Sequence, residues 1–141
     1  MKVPVSGFTI LDHTADIGLL ASGPNLEEAF VNAAKGMFSI IAHVDTPVSP
    51  LQPFSIEVEA DSLADLLISW LNRLLYLYDT EKVLFSHFEI LELKPTKLLA
   101  KVAGEPIQDK HKINTYIKAA TYHDVQVIQN EHCTLRVIFD V

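Results

Sequence analysis

The clearest element of this chain is the stretch SLADLLISWLNRLLYLYD, residues 62–79. Its apolar residues recur at intervals of three and four, which places them on one face of an α-helix. They are Leu63, Leu66, Leu67, Trp70, Leu71, Leu74, Leu75 and Tyr78. Ser62 followed by Asp65 is typical of a helix N-terminus. The opposite face carries Asp65, Asn72, Arg73 and Asp79, so we expect a helix that packs on a core rather than one that lies on a membrane or against a partner helix.

A shorter amphipathic pattern precedes it. Asn25 followed by Glu28 predicts the start of a helix. Its apolar stripe consists of Leu26, Ala29, Phe30, Ala33, Met37, Phe38 and Ile41. Pro47, Pro50 and Pro53 then indicate an irregular connector, because proline lacks the backbone N–H that a helix interior requires.

Most of the remaining chain alternates between apolar and polar residues, the period of a β-strand. The predicted strands cover residues 8–11, 17–21, 54–58, 88–90, 98–102, 117–119, 125–127 and 135–141. Residues 104–112 are charged and predict a loop. The pattern predicts a single α+β domain, residues 1–141, with two helices packed on a largely antiparallel β-sheet.

Composition excludes several classes of protein. The chain has 141 residues, of which 49% are hydrophobic, and 18 acidic against 11 basic residues give a net charge of −7. Such a charge argues against direct nucleic-acid binding, since an acidic protein gains nothing from displacing counterions. No apolar run is long enough to span a membrane, and the N-terminus lacks the core of a signal peptide. The single cysteine, Cys133, suits a cytoplasmic protein, and its position in a predicted strand favours a buried, inert thiol.

Two groups of carboxylates could hold a metal ion. Asp12 and Asp16 flank His13 between two predicted strands, where they could bind a hard cation or cap a turn. At the other end of the chain, Asp140 precedes the α-carboxylate of Val141 on a strand whose alternation persists to the last residue. Two anions that close repel each other unless a cation lies between them, although a frayed terminus would also separate them.

Two further clusters carry polar side chains. The alternation puts Lys118, Ala120 and Tyr122 on one strand face, and His123 could act as an acid, a base or a ligand, or be merely structural. The residues around Glu105 and His111 form a loop that could host a ligand or be simply solvated. A metal-dependent hydrolase built on Asp16, His123 and Asp140 is a further candidate, but no nucleophile–base pair is evident.

Taken in order, these stretches resemble the archease family. The matching segments are HTADIG at 13–18, LEEAF at 26–30, AA at 33–34, MF at 37–38, LL at 66–67, WLN at 70–72, LLY at 74–76, GE at 104–105, His111, KA at 118–119, TYH at 121–123 and RVIFDV at 136–141. Each motif is weak by itself, whereas the ordered set runs from residue 13 to the last residue. The sequence departs from the family pattern at Ala120 and Cys133.

The resemblance implies a small α+β accessory protein for an RtcB-type RNA ligase. That ligase uses GTP and a divalent metal to join RNA ends in tRNA splicing, and archeases promote its guanylylation and turnover. The family's metal ligands match Asp16, Asp140 and Val141, with calcium, magnesium or manganese as the expected ion. Its functional lysine matches Lys118. The alternative is a chaperone-like module for other RNA-processing proteins, such as tRNA methyltransferases.

Overall fold

The computed structural model describes residues 5–12, 16–42 and 48–141, and it contains two helices and seven strands within them. The helices are α1 (Leu26–Ile41) and α2 (Leu63–Glu81). The strands are β1 (Gly7–Asp12), β2 (Asp16–Gly23), β3 (Gln52–Glu59), β4 (Val83–Lys94), β5 (Lys97–Pro106), β6 (Ala119–Gln129) and β7 (Cys133–Asp140). Among the described residues, no helix is long and apolar enough to cross a membrane.

Both helices begin where the sequence predicts. The side chain of Asn25 accepts a hydrogen bond of 2.9 Å from the amide of Glu28, and Ser62 accepts one of 3.1 Å from the amide of Asp65. Each bond satisfies an amide that has no partner within its helix. These caps could be predicted because they depend only on residues three positions apart.

Lys82, the residue after α2, lies in the left-handed region with φ 56° and ψ 43°. Its carbonyl accepts a hydrogen bond of 2.9 Å from the amide of Ile107, so the tertiary structure maintains this conformation. Glycine is the favoured residue at such a position because it has no Cβ to clash. We therefore expect Lys82→Gly to stabilise the protein by about 1 kcal/mol in thermal unfolding.

The matched control for this substitution is Lys35→Gly, which places glycine inside α1. A glycine at an exposed position within a helix costs about 1 kcal/mol relative to alanine, so this control should be destabilised. Destabilisation of both variants by a similar amount would contradict a favourable effect of glycine at position 82.

The strands pair entirely antiparallel and form two sheets, with strand orders β1-β2-β7-β6 and β3-β5-β4. The α+β prediction is thus confirmed, but the single predicted sheet is divided in two. Each helix contacts strands of both sheets: α1 contacts β1, β2, β7 and β4, and α2 contacts β6, β3, β4 and β5. Alternation shows which face of a strand is buried but not which strands pair, so it could not reveal this division.

The core centres on Trp70, which is fully buried. Its indole N–H donates a hydrogen bond of 3.0 Å to the carbonyl of Phe30, which ties α2 to α1. The ring also makes an edge contact with Phe88 at 6.4 Å between centroids. Cys133 is buried as predicted, and burial raises the pKa of its thiol, which disfavours the reactive thiolate.

Strand β6 differs from its prediction. It begins at Ala119, the last residue of the strand predicted at 117–119, and continues through the whole of the strand predicted at 125–127. Thr121 pairs with Ile138 and Gln126 with Arg136, so the chain advances five residues along β6 but only two along β7. Three extra residues therefore bulge from the sheet edge, and Asp124, with φ 52°, lies in this bulge.

Strand β5 also extends beyond its prediction, to Pro106. Gly104 and Glu105 consequently lie in a strand rather than in the predicted charged loop. Glu105 and His111 are 2% and 4% exposed, so neither the solvated-loop nor the ligand-loop interpretation describes these two side chains.

Candidate functional site

The start of β2 lies beside the end of β7. Asp16 is directly opposite Asp140 in the antiparallel pairing of these strands. Opposite residues project from the same face of a sheet with their Cβ atoms ~4.5–5.5 Å apart, and two like charges in this arrangement repel. No ion pair among the described residues gives either carboxylate a basic partner. The two chain segments that the sequence singled out as acidic thus meet at one point of the sheet.

Val141 follows this pair directly. Strand β7 ends at Asp140, one residue earlier than the alternation predicts, and Val141 is 37% exposed. Val141 is therefore the next residue along the chain from the Asp16–Asp140 pair and lies outside the strand. The residues His13, Thr14 and Ala15 of the neighbouring motif lie outside the described residues.

The donor atoms of this site suit a hard cation. Asp16, Asp140 and the α-carboxylate of Val141 offer only oxygen, which calcium, magnesium and manganese prefer and which zinc sites seldom use alone. Across residues 5–12, 16–42 and 48–141, no three His, Cys, Asp or Glu side chains are grouped to hold a metal. Asp16 and Asp140 therefore have no third side-chain donor of these types in the described part of the chain.

Lys118 lies at the edge of the same site. Its amide donates a hydrogen bond of 2.8 Å to the carbonyl of Asp140, and the next residue, Ala119, pairs with Asp140 in the sheet. The side chain of Lys118 is exposed, as predicted, whereas Ala120 is buried. The expectation that Lys118 and Ala120 share one face is therefore wrong, because β6 begins only at Ala119 and regular alternation does not extend back through Lys118.

His123 makes its contact with Asp124 and not with the Asp16–Asp140 pair. It projects from the β6 bulge with its side chain 73% exposed, and its ring nitrogen Nε2 lies 3.4 Å from the carboxylate of Asp124. Neighbouring Tyr122 is close to Asp65 at the start of α2, and partial burial together with this carboxylate raises the pKa of the Tyr122 hydroxyl. Among the described residues, no hydrogen bond or ion pair links His123 to Asp16 or Asp140, the contacts on which the hydrolase hypothesis depends.

Sequence reasoning assigned Asn72 to the polar face of α2 and missed its role. Its side-chain amide bonds both backbone groups of Ala120: the Ala120 N–H donates to Oδ1 at 2.8 Å, and Nδ2 donates to the Ala120 carbonyl at 3.1 Å. The available signal was the residue type, since asparagine is unfavourable inside a helix unless its amide has a partner elsewhere.

The cluster around Glu105 was visible in the sequence, but its burial and its internal hydrogen bonds were not. The Gln108 amide donates to Nδ1 of His111 at 2.9 Å, so the proton of this imidazole is on Nε2, which donates to Glu105 at 2.5 Å. Lys110 Nζ lies 3.0 Å from the same carboxylate oxygen. The hydrogen bond from Lys110, together with the one from His111, holds the pKa of Glu105 below its ordinary value despite burial.

The fold and site define a small, acidic α+β protein whose carboxylates meet at the end of its last strand. The sequence profile of the archease protein family matches residues 8–141. The protein archease of Sulfolobus acidocaldarius is 37% identical over an alignment of 141 positions. This alignment covers 95% of this chain and 98% of that protein. That of Pyrococcus furiosus is 40% identical over 120 residues, or 82% and 84% of the two chains. The chain belongs to the archease family.

Two solved structures share the fold. The solution structure of a Methanobacterium thermoautotrophicum protein superimposes with a TM-score of 0.82 at 34% identity, covering 96% of this chain and 99% of that one. The crystal structure of a Thermotoga maritima archease, described as a possible chaperone, gives a TM-score of 0.64 at 20% identity and covers 100% and 98% of the two chains. The fold implied by the family resemblance is confirmed.

Proposed function

We propose that this archease is an accessory protein that binds a divalent cation through Asp16, Asp140 and the α-carboxylate of Val141 and activates an RtcB-type RNA ligase. In this role it promotes guanylylation and multiple turnover of the ligase during tRNA splicing in the cytoplasm. The observation that carries the proposal is the direct opposition of Asp16 and Asp140 on β2 and β7.

A bound cation would remove the repulsion in this cluster. Asp16, Asp140 and the chain terminus bring three anionic groups together, and a divalent ion that binds them only in the folded state stabilises the protein by mass action. Calcium, magnesium and manganese all accept such oxygen ligands. The Lys118 ammonium at the rim of the site would pair with a phosphate or carboxylate of the partner.

The overall charge supports a protein partner rather than RNA itself. A net charge of −7 repels the phosphate backbone but favours encounter with a basic ligase surface, because complementary potentials accelerate association. Direct contact with nucleic acid is therefore not part of the proposed role.

A ligase assay tests the proposal. Purified RtcB-type ligase is incubated with GTP, a divalent metal and RNA ends, and both ligase–guanylate formation and multiple-turnover joining are measured with and without this protein. We expect the wild type to accelerate both steps. Asp16→Asn, Asp140→Asn and an extension beyond Val141 should each lower calcium affinity by about tenfold or more, as measured by calorimetry, and weaken the stimulation with it.

Asp109→Asn is the matched control, because it removes the same charge at an exposed position. Lys118→Ala should remain as stable as the wild type, within about 0.5 kcal/mol, yet lose stimulation. Equal joining rates at every concentration of wild-type protein would refute activation. An extended chain with unchanged metal affinity would exclude the terminal carboxylate as a ligand.

A chaperone-like role for other RNA-processing proteins is the second candidate, and the description of the Thermotoga maritima relative as a possible chaperone favours it. It predicts that the protein prevents aggregation of a client, such as a tRNA methyltransferase, without any dependence on metal. Light scattering of a heated client, with calcium or with a chelator, separates the two roles. Protection that is unaffected by Asp140→Asn would favour the chaperone.

A further inference from the structure

The backbone of Ala120 is held by a helix side chain on the side that faces away from β7. Strand β6 is the last strand of its sheet, so no other strand in the described part of the chain pairs with it there. Ala120 is only 4% exposed, and unpaired backbone groups at a buried position are costly. Asn72 satisfies both groups with hydrogen bonds of 2.8 and 3.1 Å. Its amide therefore takes the place of a neighbouring strand.

The pairing of β6 with β7 is short at this point. It includes only Ala119, Ala120 and Thr121 before the three-residue bulge interrupts it. The chain before Ala119 belongs to no strand back to Pro106, apart from a single bridge between Ile113 and Ala42. Three paired residues between an irregular segment and a bulge form a short anchor, which the hydrogen bond of 2.9 Å from the Thr121 hydroxyl to the carbonyl of Ile138 and the two bonds of Asn72 reinforce.

Lys118 depends on this anchor. It lies two residues before Ala120, its side chain is exposed, and the one backbone bond described for it runs from its amide to the carbonyl of Asp140 at 2.8 Å. A shift of Ala120 would therefore move Lys118 relative to Asp140 and, through the strand pairing, relative to Asp16.

We propose that Asn72 is a positioning residue that fixes Lys118 beside the Asp16–Asp140 pair by clamping the backbone of Ala120. The inference rests on the proposed function for the use made of Lys118, while the clamp itself can be measured on the protein alone. It also couples α2 to the site, because Asn72 lies in the middle of that helix.

Amide hydrogen exchange measured by NMR tests the clamp in the full chain. In Asn72→Ala, the amides of Lys118 and Ala120 should exchange about tenfold faster than the change in global stability accounts for, the effect of losing one or two neutral hydrogen bonds. Asn72→Asp keeps an acceptor for the Ala120 amide but loses the donor, so its exchange rates should fall between those of Asn72→Ala and the wild type.

The matched control is Asn32→Ala. Asn32 is likewise a helix asparagine that donates to a strand carbonyl, that of Ser22, at 2.8 Å, but it lies in α1. In Asn32→Ala, the amide of Lys118 should exchange no faster than the change in global stability accounts for. If Asn72→Ala behaves in the same way, the clamp is refuted.

The ligase assay then tests the positioning role. With concentrations counted as folded protein, Asn72→Ala should need about tenfold more protein for half-maximal stimulation yet reach the same maximum, because a smaller fraction of molecules presents Lys118 correctly. An unchanged half-maximal concentration despite faster exchange would overturn the positioning role. A wild type that does not stimulate the ligase refutes the proposed function and the use of Lys118, whereas the exchange data still decide whether Asn72 holds the strand.

Discussion

Replacement of Gly104 by alanine is expected to destabilise the protein by about 3 kcal/mol or more, or to prevent folding. A Cβ at this position would overlap with the carbonyl of Leu84 on β4 and would lie 2.7 Å from the Cα of Phe85. These contacts involve backbone atoms on both sides, so no change of side-chain rotamer can relieve them. The two strands would have to separate, which would disrupt the core next to Phe85.

Gly7→Ala is the appropriate comparison. An added Cβ at Gly7 meets nothing within 4 Å, but the residue has φ 125°, which disfavours any side chain. This variant therefore measures the cost of an unfavourable backbone conformation alone, of order 1–3 kcal/mol. Urea unfolding of both variants gives the comparison, and a Gly104→Ala protein as stable as the wild type would show that β4 and β5 are not in such close contact.

The second large effect is expected for Glu105→Gln. The substitution leaves the half-exposed Lys110 without its carboxylate partner and weakens the acceptor for the buried imidazole N–H of His111. We expect the melting temperature at pH 7 to fall by more than about 5 °C. Glu92→Gln, which breaks the exposed pair with Lys94, should have a much smaller effect.

The pH dependence gives an independent check on this cluster. The folded structure lowers the pKa of Glu105 from its ordinary value of 4.5, chiefly through the hydrogen bond from Lys110. The ionised carboxylate therefore contributes its full stability above pH 4.5, and this contribution is lost as the pH falls through the lowered pKa. The difference in the free energy of unfolding between wild type and Glu105→Gln should therefore become smaller as the pH falls below 4.5. A stability difference between the two proteins that stays constant from pH 7 to pH 3 would show that the ionised carboxylate of Glu105 does not stabilise the fold.

Local features of the fold could be predicted from the sequence. The caps at Asn25 and Ser62 and the apolar stripes of both helices depend on residues within two turns of each other. The division of the strands into two sheets and the bulge in β6 depend on pairing between distant segments, which alternation does not encode. The burial of Glu105 could not be predicted either, because its polar partners approach it only when the loop after β5 folds back on that strand.

The candidate site shows the same limit. Spacing alone marked Asp16 and Asp140 as carboxylates near predicted strand ends, but only the family resemblance brought them together, and the register of β2 and β7 then placed them opposite each other. His123 looked equally suitable in the sequence and yet projects from the bulge beside Asp124. The role of Asn72 could not be predicted because its partners are backbone groups, which are the same at nearly every residue and leave no mark in a sequence pattern.

The buried position of Trp70 provides a built-in optical probe. It is the only tryptophan of the chain, it is fully shielded from water, and it bridges α1 and α2 through the carbonyl of Phe30. Indole fluorescence shifts to longer wavelength when the ring becomes hydrated, so the emission of this one residue reports the opening of the core. The unfolding of each variant discussed above can therefore be followed without any label, at concentrations low enough to limit aggregation, and the effect of calcium on stability can be followed in the same cuvette.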